Sequence, residues 1–511
     1  MKNVLEYLEK STHNNPEKIC AIYENNKCSY IELMTHAQAI GTFLAKRTIA
    51  RQPIAVFMDK STITLKFFMG ILYSGCFYSI IDPSFPNERI IQMLNVLKPA
   101  IVITTQENKN TLSHTGFSGT IIVTDDVPLD TKDDTLLSKI RNNSTDKDPV
   151  YCNFTSGSTG TPKGVLICHR SIINFIDTFI DIFDITCNDV LGNQAPFDFD
   201  VSVKDIYSTF ASGASLIIIP RSYFMFPNSV TELLDRHKVT TLIWAVSALC
   251  LLNRLHGLKH CVPSAINKIL FSGEVMPIKQ LNAWRMYYPN ALFANLYGPT
   301  EITCNCTYHI INEALSYDER IPIGIPFEND KVFLLNNDNV EITSKTPNIE
   351  GEICVGGNCL SLGYYNNKTA TEKSFTDNPL CCNYKETIYR TGDIAYYGDD
   401  GLLYFSGRKD FQRKHMGHRI ELEEIEHVLN NLPDIRHSCC FFDGNKNKIV
   451  AYYVGDTDKK SILDKMKTQL PEYMLPNVFR QIPIIPLTAN GKTDRKYIIK
   501  IYEDQKEIKN D

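Results

Sequence analysis

The sequence has no run of about 18 uninterrupted apolar residues, the length a membrane-spanning helix needs, so no such helix is expected. Its opening, MKNVLEYLEKSTHNNPEK, scatters charges through any apolar centre and has no small-residue cleavage site. That argues against a secretory signal and for a short amphipathic helix in a cytoplasmic protein. Net charge is also small: 53 Lys and Arg against 58 Asp and Glu give −5 over 511 residues. Such a balance leaves no electrostatic footprint for nucleic acid or an anionic membrane. The 16 cysteines include no CxxC pair and follow no regular spacing, so they read as buried fillers in a reducing compartment. Cys304 with Cys306, and the doublets Cys381-Cys382 and Cys439-Cys440, make poor metal-ligand spacings. Internal repeats and low-complexity tracts are missing as well.

What is there is ordinary globular composition, 43% hydrophobic and 22% charged, on a chain too long for one core. Two or more domains are expected. Short β-branched runs, IAVFMD at 54–59, PAIVITT at 99–105, TIIVTD at 120–125 and ASLIIIP at 214–220, alternate with helix-length amphipathic stretches. This alternation predicts α/β layers with largely parallel sheets. Near Gly351 the texture changes to glycine-punctuated strands, GEICVGG and GLLYFSGR, which predicts a smaller β-rich portion. ELEEIEHVL at 421–429 predicts a helix with its acidic residues in the first turns, and βα texture returns after it. A domain joint is expected near Asp410.

The stretch TSGSTGTPKG at 155–164 is rich in glycine, threonine and serine and carries no apolar side chain. Glycine permits the positive-φ turns that aim successive amides inward, so the loop reads as an anion cradle, although flexible linkers share its make-up. A Walker loop is disfavoured, because Pro162 precedes Lys163 and Gly164 follows it. Downstream, NLYGPTE at 295–301 sets a flat ring on a turn, beside a hydroxyl for a phosphate and a hard oxygen donor for Mg²⁺. YRTGD at 389–393 and GRKD at 407–410 add a carboxylate and an arginine; Asp393 alone reads as a turn residue. PLTANGKTDRK at 486–496 sets Lys492 behind an Asn-Gly turn, which projects its ammonium from a loop tip. A lone lysine there is usually solvated, and the ordered company of the other motifs reverses that reading.

In this order the motifs resemble the signatures of the adenylate-forming superfamily of acyl-CoA synthetases and amino-acid adenylation enzymes. FFMGILYSGCFYSIIDPSFPNERI at 67–90 extends the resemblance toward the N-terminus. The resemblance implies a large N-terminal α/β domain with layered sheets and a β-rich subdomain, residues 1–409. A small mobile C-terminal α+β domain, residues 410–511, would be hinged at Asp410. ATP and Mg²⁺ are the implied cofactors. Thr155, Ser156, Gly157, Ser158, Thr159 and Lys163 would meet the phosphates, with Gly273, Glu274, Asn295, Tyr297, Gly298 and Thr300 completing the nucleotide site. Asp393 and Arg408 would hold the ribose, Glu301 the metal, and Lys492 would be the catalytic ammonium at the α-phosphate.

FDFDVSVKDIY at 197–207 resembles the segment that binds the substrate ammonium in amino-acid adenylation enzymes. Asp200 takes the carboxylate position; Asp198 lies two residues earlier, and Ser202-Val203 with Asp205 favour Asp200. A buried carboxylate selects a cationic amine over fatty or aryl acids. The implied pocket wall is Val201, Lys204, Trp244, Leu270, Ser272, Leu296, Cys304 and Asn305. Trp244 and Leu296 fill volume and suit a small side chain, whereas Lys204 suits an acidic or polar one or snorkels outward. GRKDFQRKHMGHRIELEEIE at 407–426 and FSGEVMP at 271–277 most resemble D-alanine carrier-protein ligases and free-standing nonribosomal peptide adenylation domains. Ser272, where those ligases usually carry cysteine, and Met416 depart from that pattern. The implied activity is formation of an aminoacyl-AMP from D-alanine or another small amino acid. Transfer to the phosphopantetheine thiol of a carrier protein would follow, Gly417 letting the thin arm pass. Because the chain ends soon after the closing motif, that carrier is expected to be a separate protein. An acyl- or aryl-CoA ligase, for which Asp200 is only structural, and a catalytically silent nucleotide-binding protein are the alternatives.

Overall fold

The computed structural model describes residues 1–157, 160–311, 320–410, 412–444, 446–487 and 493–507. The β-branched runs form strands where expected: Pro53–Phe57, Ile101–Thr104, Thr120–Val123 and Ser215–Ile218. Two large sheets dominate. One runs Thr120–Val123, Ile101–Thr104, Pro53–Phe57, Phe77–Ile80, Pro149–Thr155, Lys163–Cys168, parallel except for the last pair. The other has nine strands, a parallel centre from Leu292–Tyr297 to Ile19–Tyr23 and antiparallel edges. Strands buried on both faces read as continuous apolar runs, which is why ILFS and LIWA show no alternation.

The principal core lies between these sheets. Leu5–Asn14, Tyr30–Ala45, Thr62–Tyr73, His169–Ile182 and Val201–Ser212 bury their apolar residues there with Ile54, Tyr78 and Val150 of one sheet and Leu191, Ile243 and Leu270 of the other. Separate cores cover the outer faces. The β-rich portion around Gly351 is an antiparallel sheet built on the long strand Thr387–Tyr397.

Past Asp410 the chain forms a two-stranded hairpin, Gln412–His415 with His418–Glu421, then the helix Leu422–Asn430 with Glu423 and Glu424 in its first turn. A three-stranded sheet of Ile435–Asp443, Lys448–Gly455 and Val478–Gln481 follows, with a core on each face. The hairpin turn is tight. His415 pairs with His418, and both residues between them have positive φ, 52° at Met416 and 84° at Gly417, the type I′ geometry that suits strand twist.

The small part is fastened to the large one by an ion pair. Arg89, on the helix Asn87–Leu97, donates to Glu424 Oε1 at 2.6 Å, and the two side chains are 4% and 2% exposed. Removing one partner leaves a bare buried charge, whereas replacing both by apolar groups does not. Arg89→Met is expected to destabilise the first urea transition by about 3–5 kcal/mol, with most of it recovered when Glu424→Leu is added. A double variant as weak as the single would contradict the account.

Candidate active site

The loop at 155–164 joins two antiparallel strands, with Thr155 paired to Lys163. A Walker loop instead leads from strand to helix. Thr155 Oγ1 reaches the Lys163 carbonyl at 3.5 Å, and the Lys163 ammonium lies 5.5 Å from the Tyr364 ring centroid. Ser158 and Thr159 lie outside the described residues, as does Lys492.

A cleft of about 1210 Å³ opens beside the hairpin that follows Asp410. Gly273, Glu274, Asn295, Leu296, Tyr297, Asp393 and Arg408 line it on one side, and Lys414, Met416 and His418 of the hairpin on the other. Gly273 has φ of 98° and open space where a Cβ would stand. Asn295 donates to the Pro322 carbonyl at 2.8 Å. Tyr297 gives its hydroxyl proton to Asp393 Oδ2 at 2.5 Å. Arg408 holds Asp393 Oδ1 at 2.5 Å and Asp410 at 2.6 and 2.9 Å, so sugar-site carboxylate, arginine and the expected hinge residue form one network.

Glu301 is 1% exposed. It accepts from Arg419 Nη1 at 2.9 and 2.7 Å through its two oxygens, and from the Tyr364 hydroxyl at 2.7 Å. Burial alone would raise its pKa; the Arg419 guanidinium outweighs that and holds the carboxyl below its usual range. The phosphate loop shares this company. Ser156 Oγ donates to the Arg419 carbonyl at 2.7 Å, and the Gly157 amide to Glu424 Oε2 at 3.3 Å.

At the hairpin tip Met416 is exposed and Gly417 is buried. Gly417 N donates to Glu274 Oε1 at 2.7 Å, and a Cβ on Gly417 would stand 3.3 Å from Ala245 Cβ and 3.5 Å from Ser247 Oγ. His418 stacks on Tyr473 at 3.8 Å and on Phe199 at 5.6 Å. Burial pushes its imidazole down to about 4, so it is neutral at physiological pH.

Of the residues of the implied amino-acid site, Leu296 lines the cleft. Asp200 is the N-cap of Val201–Ser212, is buried, and bonds the Thr300 hydroxyl; burial raises its pKa. Lys204, one turn on and 1% exposed, does not snorkel: Nζ donates to Ser272 Oγ at 3.0 Å and Asn305 Oδ1 at 2.8 Å. Leu270, Leu296 and Cys304 pack in the same core. Gly298 lets the 304–305 backbone approach, since a Cβ there would stand 2.5 Å from Asn305 Cα. Thr303 and Cys304 carry φ of 61° and 73°, two successive non-glycine residues in the left-handed region. Such strain clusters at functional sites.

Trp244 does not join this group. Side chains alternate along a strand, and Trp244 faces the other core, its ring 5.5 Å from Phe224 and its indole N–H on the Gly192 carbonyl at 2.7 Å. Ala245 is the residue of that strand nearest the hairpin tip. Arg419, Tyr364 and Lys414 escaped the sequence reading. Arg419 and Lys414 stand in the quoted run 407–426, and a buried Glu301 demands a cation that Arg419 supplies.

A model of the AMP-binding enzyme family matches residues 8–365, and one of the AMP-binding enzyme C-terminal domain matches 424–492. The D-alanine--D-alanyl carrier protein ligase of Staphylococcus haemolyticus is 30% identical over 98% of this chain and 99% of its own length. Tyrocidine synthase 3 of Brevibacillus parabrevis is 32% identical over 96% of this chain, which spans 7% of that much longer protein. In fold, the Vibrio cholerae adenylation domain AlmE, solved with glycyl-adenosine-5'-phosphate, superposes with a TM-score of 0.85 at 21% identity over 98% of each chain.

Asp205, wholly buried on Val201–Ser212, accepts from Asn193 Nδ2 at 2.8 Å, and burial pushes its carboxyl up to about 7. An unfolded Asp titrates near ~3.9. Its contribution to stability is therefore full below about pH 4 and is lost as pH rises through 7. Asp205→Asn is expected to flatten the fall of the urea midpoint between about pH 4 and 7.5; an unchanged slope would show that Asp205 is not the titrating group.

Proposed function

The chain belongs to the AMP-binding enzyme family, and from that premise we propose that it activates an amino acid with ATP and loads it onto a carrier protein. The substrate carboxylate attacks the α-phosphorus, the bond to pyrophosphate breaks, and an aminoacyl-AMP forms. A phosphopantetheine thiol of the carrier then attacks the acyl carbonyl and AMP leaves. One observation carries this reading. A single hairpin sets Arg419 on Glu301 and Gly417 on Glu274, while its Lys414 and His418 line the cleft with Asp393, Arg408 and Tyr297.

The residues divide the work by chemistry. Thr155, Ser156, Gly157 and Lys163 would cradle the phosphates, joined by Ser158 and Thr159. Asp393, held by Tyr297 and Arg408, would accept the ribose hydroxyls. Asp200 would take the substrate ammonium, which offsets the burial of its charge. Lys492 would bring an ammonium to the α-phosphate, stabilising charge that builds in the transition state. Glu301 is a buried carboxylate already matched to a cation, so it fits Mg²⁺ in an arrangement with Arg419 withdrawn. The ion would neutralise triphosphate charge there.

The seating of the hairpin supports a two-part chain, residues 1–409 and 410–511, with Asp410 as the hinge. With the hairpin in, the phosphate loop is covered by Arg419 and Glu424, an arrangement suited to acyl transfer rather than to triphosphate binding. A cytoplasmic location fits an ATP-dependent enzyme whose cysteines are all free. No helix among the described residues is long and apolar enough to cross a membrane.

Lys492→Ala is expected to lower amino-acid-dependent ATP–pyrophosphate exchange by about 100-fold or more while ATP still binds in calorimetry. Lost nucleotide binding would contradict the role. Gly417 has positive φ and close neighbours, so a leucine there strains the tip and fills its path. Gly417→Leu is expected to leave exchange within about threefold and to cut acyl loading of a carrier by about 100-fold. Equal damage to both half-reactions would sink the assignment.

A further inference from the structure

The buried ammonium of Lys204 has two acceptors, Ser272 Oγ and Asn305 Oδ1, for its three N–H groups. Among the described residues the third has no partner, and no carboxylate lies at ion-pair distance from Nζ. An unpaired buried charge is costly, so a compensating anion is called for. Two carboxylates stand on the same helix. Asp200 lies one turn before Lys204, and residues four apart share a helix face. Asp205 follows Lys204 and is turned to Asn193, whose Nδ2 donates to it at 2.8 Å.

Charge counting then decides the matter. On the reading proposed above, the substrate ammonium occupies Asp200. Asp200 is then committed to that ammonium and Asp205 is turned to Asn193, so neither carboxylate of the helix is left to pair with Lys204. The substrate's own α-carboxylate is directed to ATP and spent in the anhydride, so it cannot serve Lys204.

Sterics agree. The case for a small side chain leaned on Trp244 and Leu296, and Trp244 lies on the opposite face of its strand. Ser272 and Asn305 hold the Lys204 ammonium in place.

We propose that the amino acid activated by this chain carries a second carboxylate, of the aspartate or glutamate class, whose side-chain oxygens pair with Lys204. This rests on the assignment of the pocket as an amino-acid site. Ser272 and Asn305 position the ammonium; Lys204 sets specificity. Uncharged isosteres are discriminated against because an amide leaves the Lys204 charge uncompensated.

The test is ATP–pyrophosphate exchange by the whole chain with Mg²⁺, offering both enantiomers of aspartate and glutamate. Asparagine, glutamine, glycine, D- and L-alanine, leucine and phenylalanine serve as competitors. The expected result is a response to one dicarboxylic acid at least about 100-fold above its amide in kcat/KM. Lys204→Met is expected to collapse that acid-to-amide ratio to within about tenfold while Lys204→Arg keeps part of it, with melting curves reporting whether each variant folds. The wild-type ratio stands as evidence even if neither variant folds. Strong exchange with alanine, glycine or an apolar amino acid and none with the acids overturns this inference and leaves the proposed function intact. Exchange with no amino acid at all, or only with acids lacking an amine, overturns both.

Discussion

A carboxylate as deeply buried as Glu301 needs a cation, and the arrangement around the cleft follows from that need. Arg419 meets it through both carboxylate oxygens, and Tyr364 adds a hydroxyl. To bring Arg419 there, the whole 412–421 hairpin must enter the cleft, which sets Gly417 against Glu274 and His418 between Phe199 and Tyr473. The helix that follows is then placed to bury Glu424 against Arg89. Two buried ion pairs thus lock the small part of the molecule onto the large one. Such pairs are weak arguments for net stability, because desolvation opposes the attraction, but they are demanding about geometry. A ligand that satisfied Glu301 in place of Arg419 would release one of the two locks.

Much of the scaffold was legible in the chain. The runs at 54–59, 99–105, 120–125 and 214–220 are strands because β-branched residues pack well on a pleated sheet, and the change of texture near Gly351 is an antiparallel sheet. The loop at 155–164 bridges two antiparallel strands. Trp244 shows the limit of resemblance between short motifs: one step along a strand reverses the face, so an adjacent-residue ambiguity becomes an error of location. Arg419 illustrates another. Its partner is 118 positions away, and no local pattern in a sequence records which distant carboxylate will be buried. The strain at Thr303 and Cys304 was equally hidden, since neither is a residue type that announces positive φ.

Lys204, Ser272 and Asn305 were gathered by resemblance alone, and the fold brings their polar atoms within 3.0 Å. Whether a lysine on a buried helix snorkels or stays inside depends on acceptors from other elements, here a strand end and a strained loop. Gly298 holds that loop close by the absence of a side chain.

The hairpin tip has a thermodynamic consequence. Its two-residue turn is set in left-handed geometry at both Met416 and Gly417, and its strands are in register from Gln412 with Glu421 to His415 with His418. Inserting a floppy loop into a cleft would freeze many backbone torsions, each worth roughly 1–2 kcal/mol of conformational entropy. A hairpin already folded gives up only its rigid-body freedom on entry and regains only that on leaving. Repeated entry and exit can then run on the small free-energy differences of a few contacts, and the tip arrives each time in the same shape.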